Sequence, residues 1–267
     1  MNFETIYKPI SKELLKVEME IKRQILTLDN NQKIVKEAIN YFFNNKGKYL
    51  RPALVLLSGK IVNGRDKLIN DKLISLSSAV EMIHNASLIH DDIIDDDESR
   101  REVLSLNKKF GNHMAMMIGD MLYTRAFLLL ANNCNEKTLR IVANCVEKMC
   151  YGEIKEITKD NLNLMEYLEI IKCKTASFMS ACCEAGAIIS GGDEEIVKSM
   201  RNYGLNFGIA YQLRDDYLDK ETPLNKRIVI KKMDKHIKLA KKNLAMIENN
   251  EIKESLNNLL EYFQVDS

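Results

Sequence analysis

The sequence predicts an all-α, single-domain helical bundle over residues 1–267, and three observations carry that prediction. Only Pro9, Pro52 and Pro223 occur, so residues 53–222 lack the residue that most reliably breaks helices. Apolar residues recur at three- and four-residue spacing through long stretches, the period of a helix with a buried face. Strict alternation over a strand-length run is hard to find.

The helical stretches follow one another in order. LISLSSAVEMIHNASLI (73–89), MAMMIGDMLYTRAFLLLA (114–131) and IVKSMRNYGLNFGIAYQL (196–213) each read as a buried helix. The breaks fall at GKIVNGRD (59–66), NNCNEK (132–137), TKDNLN (158–163) and SGGDEE (190–195), each rich in Gly, Asn or Asp. They are short, as helix connections in a bundle are. The segment from 231 to 263 reads as two amphipathic helices broken near Asn249 and Asn250, with its lysines forming a solvated face. A membrane-surface role is the other reading of those lysines.

The chain has 267 residues and a formal net charge of +1, with 46% hydrophobic and 29% charged residues, which suits one sizeable core. Balanced charge offers no electrostatic case for nucleic acid, so an anionic partner has to be met by a local basic cluster. Cys134, Cys145, Cys150, Cys173, Cys182 and Cys183 show neither zinc-type pairs nor a regular disulfide spacing, and read as reduced core thiols. The N-terminal MNFETIYKPISKELLK has no apolar h-region, and no segment offers eighteen uninterrupted apolar residues. The expectation is a cytoplasmic protein with no transmembrane segment.

Against that even charge, LIHDDIIDDDESRR (88–101) places six acids in the eight positions 91–98. On one helix Asp91, Asp92 and Asp95 share a face, and like-charge pairs at such spacing each cost roughly 0.2–0.5 kcal/mol even when exposed. A bound cation would offset that cost, and oxygen-only ligands suit hard Mg²⁺, which keeps several waters and joins carboxylates to phosphates. An acidic helix end facing water explains this stretch equally well, and Asp96, Asp97 and Glu98 fit that description. A second DDxxD, Asp215, Asp216 and Asp219 in GIAYQLRDDYLD, alters the balance. Two matched carboxylate motifs on separate helices of one bundle can face each other and hold metal ions around one diphosphate.

With both motifs in view, the chain resembles the trans-isoprenyl diphosphate synthases, the polyprenyl synthetase family. The resemblance runs from about residue 46 to 219 through GKYLRP (47–52), EMIHNASLIHDDIIDDDESRR, FGNHMAMMIGDML, YGEI, KTA and YQLRDDYLD, in the family's order. At the start of the first of these, Lys46 stands where the family has a glycine. The resemblance implies a bundle of the isoprenoid synthase type with a central active-site cavity. It also implies an enzyme condensing isopentenyl diphosphate with an allylic diphosphate, assisted by Mg²⁺ at three ions per active site, and a homodimer.

Residue by residue, the resemblance implies Asp91, Asp95 and Asp215 as Mg²⁺ ligands, supported by Asp92, Asp216 and Asp219. It assigns Lys48, Arg51, His84 and Arg101 to isopentenyl diphosphate, Arg100 to the allylic diphosphate, and Lys174, Thr175 and Gln212 to positions beside the reacting carbon. His84 has separate support, since it lies seven residues before Asp91 and so near the same helix face. Taken alone it is equally a hydrogen-bonded core histidine. Ala86 and Ser87 sit one turn before the aspartates, with Ile83 and then Val80 each a further ~5.4 Å along. Family members with short products carry bulky aromatics just before the motif, so Ala86 and Ser87 imply a pocket open to C20 or longer products. Met116, Met117, Tyr123 and Phe127 are the alternative floor.

After Asp219 the resemblance fails. Members continue through a lysine-bearing loop and several helices, whereas KETPLNKRIVIKK leads into the final amphipathic segment, as if the chain were internally shortened and lacked some C-terminal helices. Lys220 and Lys226 are the lysines left to substitute. Three readings follow: an active linear prenyl-chain-elongating enzyme, a partner-dependent or catalytically impaired subunit of one, and a terpene cyclase. Both carboxylate triads argue against a purely structural subunit, and the second DDxxD argues against a cyclase.

Overall fold

The computed structural model describes residues 2–26, 33–44, 47–63, 70–159, 162–219 and 225–264. Lys46 and Lys220 lie outside the described residues. Among them the chain is almost wholly helical, in agreement with the low proline content. Helix α1 (Phe3–Tyr7) runs through a 3₁₀ turn into α2 (Ser11–Leu26), followed by α3 (Lys33–Asn44), α4 (Leu50–Asn63) and α5 (Asp71–Ile94). After a small hairpin come α6 (Leu106–Phe110), α7 (Asn112–Asn133), α8 (Glu136–Ile157) and α9 (Leu164–Ile171). The chain then enters α10 (Ser177–Ile189), α11 (Glu194–Asp219), α12 (Lys226–Leu244) and α13 (Glu251–Tyr262).

Asparagine explains several of the boundaries. Asn70, Asn135, Asn163, Asn225 and Asn250 each accept a hydrogen bond from a backbone N–H in the first turn of the following helix. Each thereby satisfies a donor that no carbonyl within the helix can reach. At α9 the cap is reciprocal, with the Glu166 carboxylate accepting from the Asn163 N–H.

Helix α5 is the axis of the bundle, packed against α2, α4, α7 and α10. Leu73, Leu76, Ala79, Val80, Met82, Ile83, Ala86 and Ile89 are fully buried, and together they occupy more than one face of the helix. A helix apolar nearly all round belongs inside a bundle. Helix α10 crosses α4 and α11 closely, and glycines permit the contacts. A Cβ on Gly186 would lie 2.4 Å from the Val55 carbonyl oxygen, and one on Gly204 would lie 2.5 Å from that of Met179. Buried apolar side chains from α1 through α13 join in one contiguous core.

Two local structures were not expected from the pattern. Ser99–Arg100 (β1) pairs antiparallel with Val103–Leu104 (β2) around a turn in which Arg101 and Glu102 have φ of 52° and 67°. Two-residue hairpin turns of this hand usually carry Asn-Gly or Asp-Gly, so Arg-Glu gives no turn signal. Residues Lys172–Ala176 form a single π-helical turn between α9 and α10. After α11 the described chain supplies α12, packed along α11, and α13, packed against α4 and α1.

Candidate active site

The ends of α5 and α11, the start of α4, the hairpin, the C-terminal half of α8 and the π-turn enclose a cavity of about 900 Å³. Asp91 and Asp95 line it from α5, and Asp215, Asp216 and Asp219 line it from α11. Lys48, Arg51, His84, Ser87, Arg100, Arg101, Lys174, Thr175 and Gln212 also line it. The structure therefore brings together most of the residues singled out in the sequence.

Others lie elsewhere. Ile83 and Ala86 are fully buried in the core and do not border the cavity; the lining face of α5 is instead Glu81, His84, Ser87, Leu88 and Asp91. Asp92 is also fully buried and does not border it: its carboxylate accepts from the Arg100 guanidinium, and its backbone carbonyl accepts from Asn107 Nδ2 at 3.1 Å. A step of one residue on a helix turns the side chain by about 100°, which separates the two adjacent aspartates. Lys226 points its ammonium at the Tyr217 ring, 5.2 Å from the centroid, and does not line the cavity.

On the α11 side a chain of hydrogen bonds fixes the polar wall. Thr175 Oγ1 donates to Gln212 Oε1 at 2.8 Å, and Gln212 Nε2 donates to Asp216 Oδ1 at 2.7 Å. Tyr167 Oη donates to the other oxygen of Asp216 at 2.5 Å. Lys174 reaches Glu153 at 2.6 Å and Glu156 at 2.7 Å. Burial works against its charge, but the two carboxylates outweigh it and hold the ammonium above its ordinary range. The π-turn places Lys174 and Thr175 over Gly152 of α8, where an added Cβ would lie 2.9 Å from the Lys174 backbone nitrogen. Sequence reading missed Tyr167, Glu153, Glu156 and Glu81; Glu153, as part of YGEI, and Glu81, at the head of EMIHNASLIHDDIIDDDESRR, lay in stretches it had singled out.

The acids are short of positive charge. Burial pushes Asp91 up to about 7, with Glu153 and Asp95 adding to the rise and Lys174 opposing it. Burial also raises Asp215 and Asp216 above the usual carboxylate range. Among the described residues no three acidic, histidine or cysteine side chains converge closely enough to form a metal cage by themselves. Oxygen donors on two facing helix ends fit an ion such as Mg²⁺ that completes its shell with water and phosphate oxygens. Opposite the acids, burial and the charges of Arg51, Arg101 and Arg100 hold His84 far below its ordinary range, so it is a neutral imidazole.

The fold and this two-motif cavity define a class, the helical isoprenoid synthases, and comparison with known proteins agrees. The polyprenyl synthetase family model matches residues 32–265, and the chain belongs to that family. Heptaprenyl diphosphate synthase component 2 of Bacillus subtilis is 36% identical over 222 residues, covering 82% of this chain and 62% of that protein. Octaprenyl diphosphate synthase of Haemophilus influenzae is 32% identical over 222 residues, covering 82% of this chain and 65% of that protein. The chain thus spans less than two thirds of these relatives' own length. A Caulobacter crescentus polyprenyl synthase, crystallised with calcium and isoprenyl diphosphate, superposes with a TM-score of 0.89 at 24% identity, over 98% of this chain and 97% of that one. That likeness establishes the fold.

Proposed function

We propose that the protein is a Mg²⁺-dependent prenyltransferase that condenses isopentenyl diphosphate with an allylic diphosphate into a linear all-trans polyprenyl diphosphate of C20 or longer. One observation carries the reading: two aspartate-bearing helix ends line one cavity whose wall also presents Lys48, Arg51, Arg100, Arg101 and Lys174. Anionic groups on two sides need metal between them, whereas Lys48, Arg51 and Arg101 suit a diphosphate bound without metal.

The chemistry divides along the same line. When the allylic carbon–oxygen bond breaks, its electron pair leaves with diphosphate; the isopentenyl double bond then attacks the allylic cation, forming the new carbon–carbon bond. Loss of a proton to the released diphosphate restores a double bond. Mg²⁺ held by Asp91, Asp95 and Asp215, at three ions per site with Asp219 in support, would supply electrostatic stabilisation of the leaving group. Asp92 contributes by anchoring Arg100, which reaches the allylic diphosphate. Lys174 adds a fixed positive charge, and Thr175 and Gln212 direct their oxygen dipoles beside the reacting carbon, with Asp216 holding Gln212.

The heptaprenyl and octaprenyl diphosphate synthases among the relatives support a long-chain product. An assembly as a homodimer is supported by α7, which packs against α5 yet leaves Met116, Met117 and Leu128 exposed. It is also the one described helix long and apolar enough to cross a membrane. The name "component 2" favours a second reading, an enzyme that needs a further subunit for turnover. The test is product analysis after incubation with Mg²⁺, isopentenyl diphosphate and allylic primers of increasing length. Linear diphosphates longer than the primer are expected. Cyclic hydrocarbons would refute the reading, and turnover only after addition of a partner protein would move it to the second.

A further inference from the structure

The chemistry of the cavity leaves the outward face of α12 without a role, although the chain's positive charge is concentrated there. Eight of the helix's nineteen residues are Lys or Arg and one, Asp234, is acidic, so it holds +7 in a chain of net +1. Its inner face is apolar, with Val229, Met233, Ile237, Ala240 and Leu244 buried. At about 100° per residue, Arg227, Lys231, Lys235, Lys238 and Lys242 fall opposite that face within an arc of about 80°, spread over ~22 Å of helix. All five are exposed.

Neither helix stability nor ion pairing accounts for this stripe. Like charges three and four residues apart repel along a helix, and Lys226 and Arg227 stand in a first turn without an acid, where the helix dipole disfavours cations. Among the described residues the one ion pair made by an α12 side chain joins Lys241 to Glu261, off the stripe. No carboxylate pairs with the five stripe cations among those residues, and Asp234 at the stripe's edge is the one acid near them on the helix.

Aliphatic side chains border the stripe. Ile228 and Leu239 lie on one flank, 42% and 36% exposed, and Ile230 lies on the other, in an open groove that runs along the face. Lysine stems can cover such surface while their ammonium groups reach outward. A cationic stripe with aliphatic borders complements the headgroup layer of a bilayer containing anionic lipid, where phosphates meet the ammonium groups and aliphatic side chains enter the acyl boundary. Nucleic acid is a poorer match, because α12 has no aromatic side chain on which a base could stack.

We propose that the outward face of α12 docks the protein on the surface of anionic lipid bilayers. Under the prenyltransferase reading, docking brings the cavity to the phase that takes up a long apolar product. The docking itself does not depend on that reading.

The experiment is co-sedimentation of the full-length protein with vesicles in the absence of substrates. Vesicles of phosphatidylcholine alone are compared with vesicles that also contain phosphatidylglycerol. Wild type is set beside a variant carrying Lys231→Gln, Lys235→Gln, Lys238→Gln and Lys242→Gln, one carrying Lys231→Arg, Lys235→Arg, Lys238→Arg and Lys242→Arg, and one carrying Ile228→Ser with Leu239→Ser. Wild type should bind the anionic vesicles in preference to the neutral ones and release most of that binding in about 1 M salt. The glutamine variant should bind about a hundredfold more weakly, the arginine variant as wild type, and the serine variant about tenfold more weakly, each with Tm unchanged. Wild type that stays in solution, or a glutamine variant that binds as wild type does, overturns the proposal. So does tighter binding of wild type to a single-stranded polynucleotide than to the vesicles, which would assign the face to nucleic acid. Charge-dependent vesicle binding by a wild type that elongates no primer would sink the catalytic reading and leave the docking face standing.

Discussion

Asp91 and Asp92 are neighbours in sequence with opposite environments, and the difference is measurable. Asp91 faces other acids, and burial raises it to about 7, so its charge works against the empty fold. Asp91→Asn should leave Tm in metal-free buffer unchanged or higher. Asp92 is buried in an ion pair with Arg100, and Asp92→Asn strands that guanidinium, at a cost of about 3 kcal/mol in denaturant unfolding. Equal Tm for the two variants would contradict the assignment. His236 supplies a pH test away from the site. Its Nδ1 donates to Asn206 Oδ1 at 2.8 Å, and burial, with Lys235 and Lys232 nearby, lowers it from 6.5 to about 4. The unfolded chain binds a proton that the folded one refuses between those values, so this contribution to stability is intact above pH 6.5 and lost as pH falls toward 4. A Tm series from pH 8 to 5 should steepen below 6.5, and His236→Gln should flatten it. The residue pattern revealed acids and their spacing; which of two adjacent aspartates turned inward depended on where Arg100 arrived.

The helices were legible because burial period and asparagine caps speak in the local sequence. The hairpin and the π-turn were not, since each is imposed by distant partners. Arg100 is anchored to Asp92 on α5, and Ser105 Oγ donates to the Asp97 carbonyl at 2.6 Å, which together hold a turn of unfavourable residues. The π-turn's extra residue allows Lys174 and Thr175 to meet α8 and α11 at once. Close helix crossings are likewise silent until glycines meet carbonyls. Gly186→Ala should force α10 from Val55 and destabilise the protein by about 1–3 kcal/mol, read from denaturant midpoints. An unaltered midpoint would mean that α4 and α10 yield without strain.

Viewed as one object, the protein is a bundle whose acids and bases, widely separated in sequence, meet around a single cavity. The paired DDxxD motifs made that meeting legible, but the course proposed for a product chain was not, because it depends on which face of α5 turns toward the cavity. Ser87 lines the cavity, whereas Ala86 is in the core, and Tyr123 of α7 with Met149 of α8 border it as well. Ser87→Phe should shorten the product and Tyr123→Ala should lengthen it, both read by chromatography of the hydrolysed alcohols. Ala86→Phe should lower Tm by overpacking the core. The facing of the two carboxylate motifs is the feature on which the rest depends, and turnover of isopentenyl diphosphate with an allylic primer and Mg²⁺ by wild type, Asp91→Asn and Asp215→Asn tests it. Wild type should elongate the primer, and each variant should lose about a thousandfold in kcat with Tm maintained. Near-wild-type turnover in either variant would contradict a site built from both helix ends.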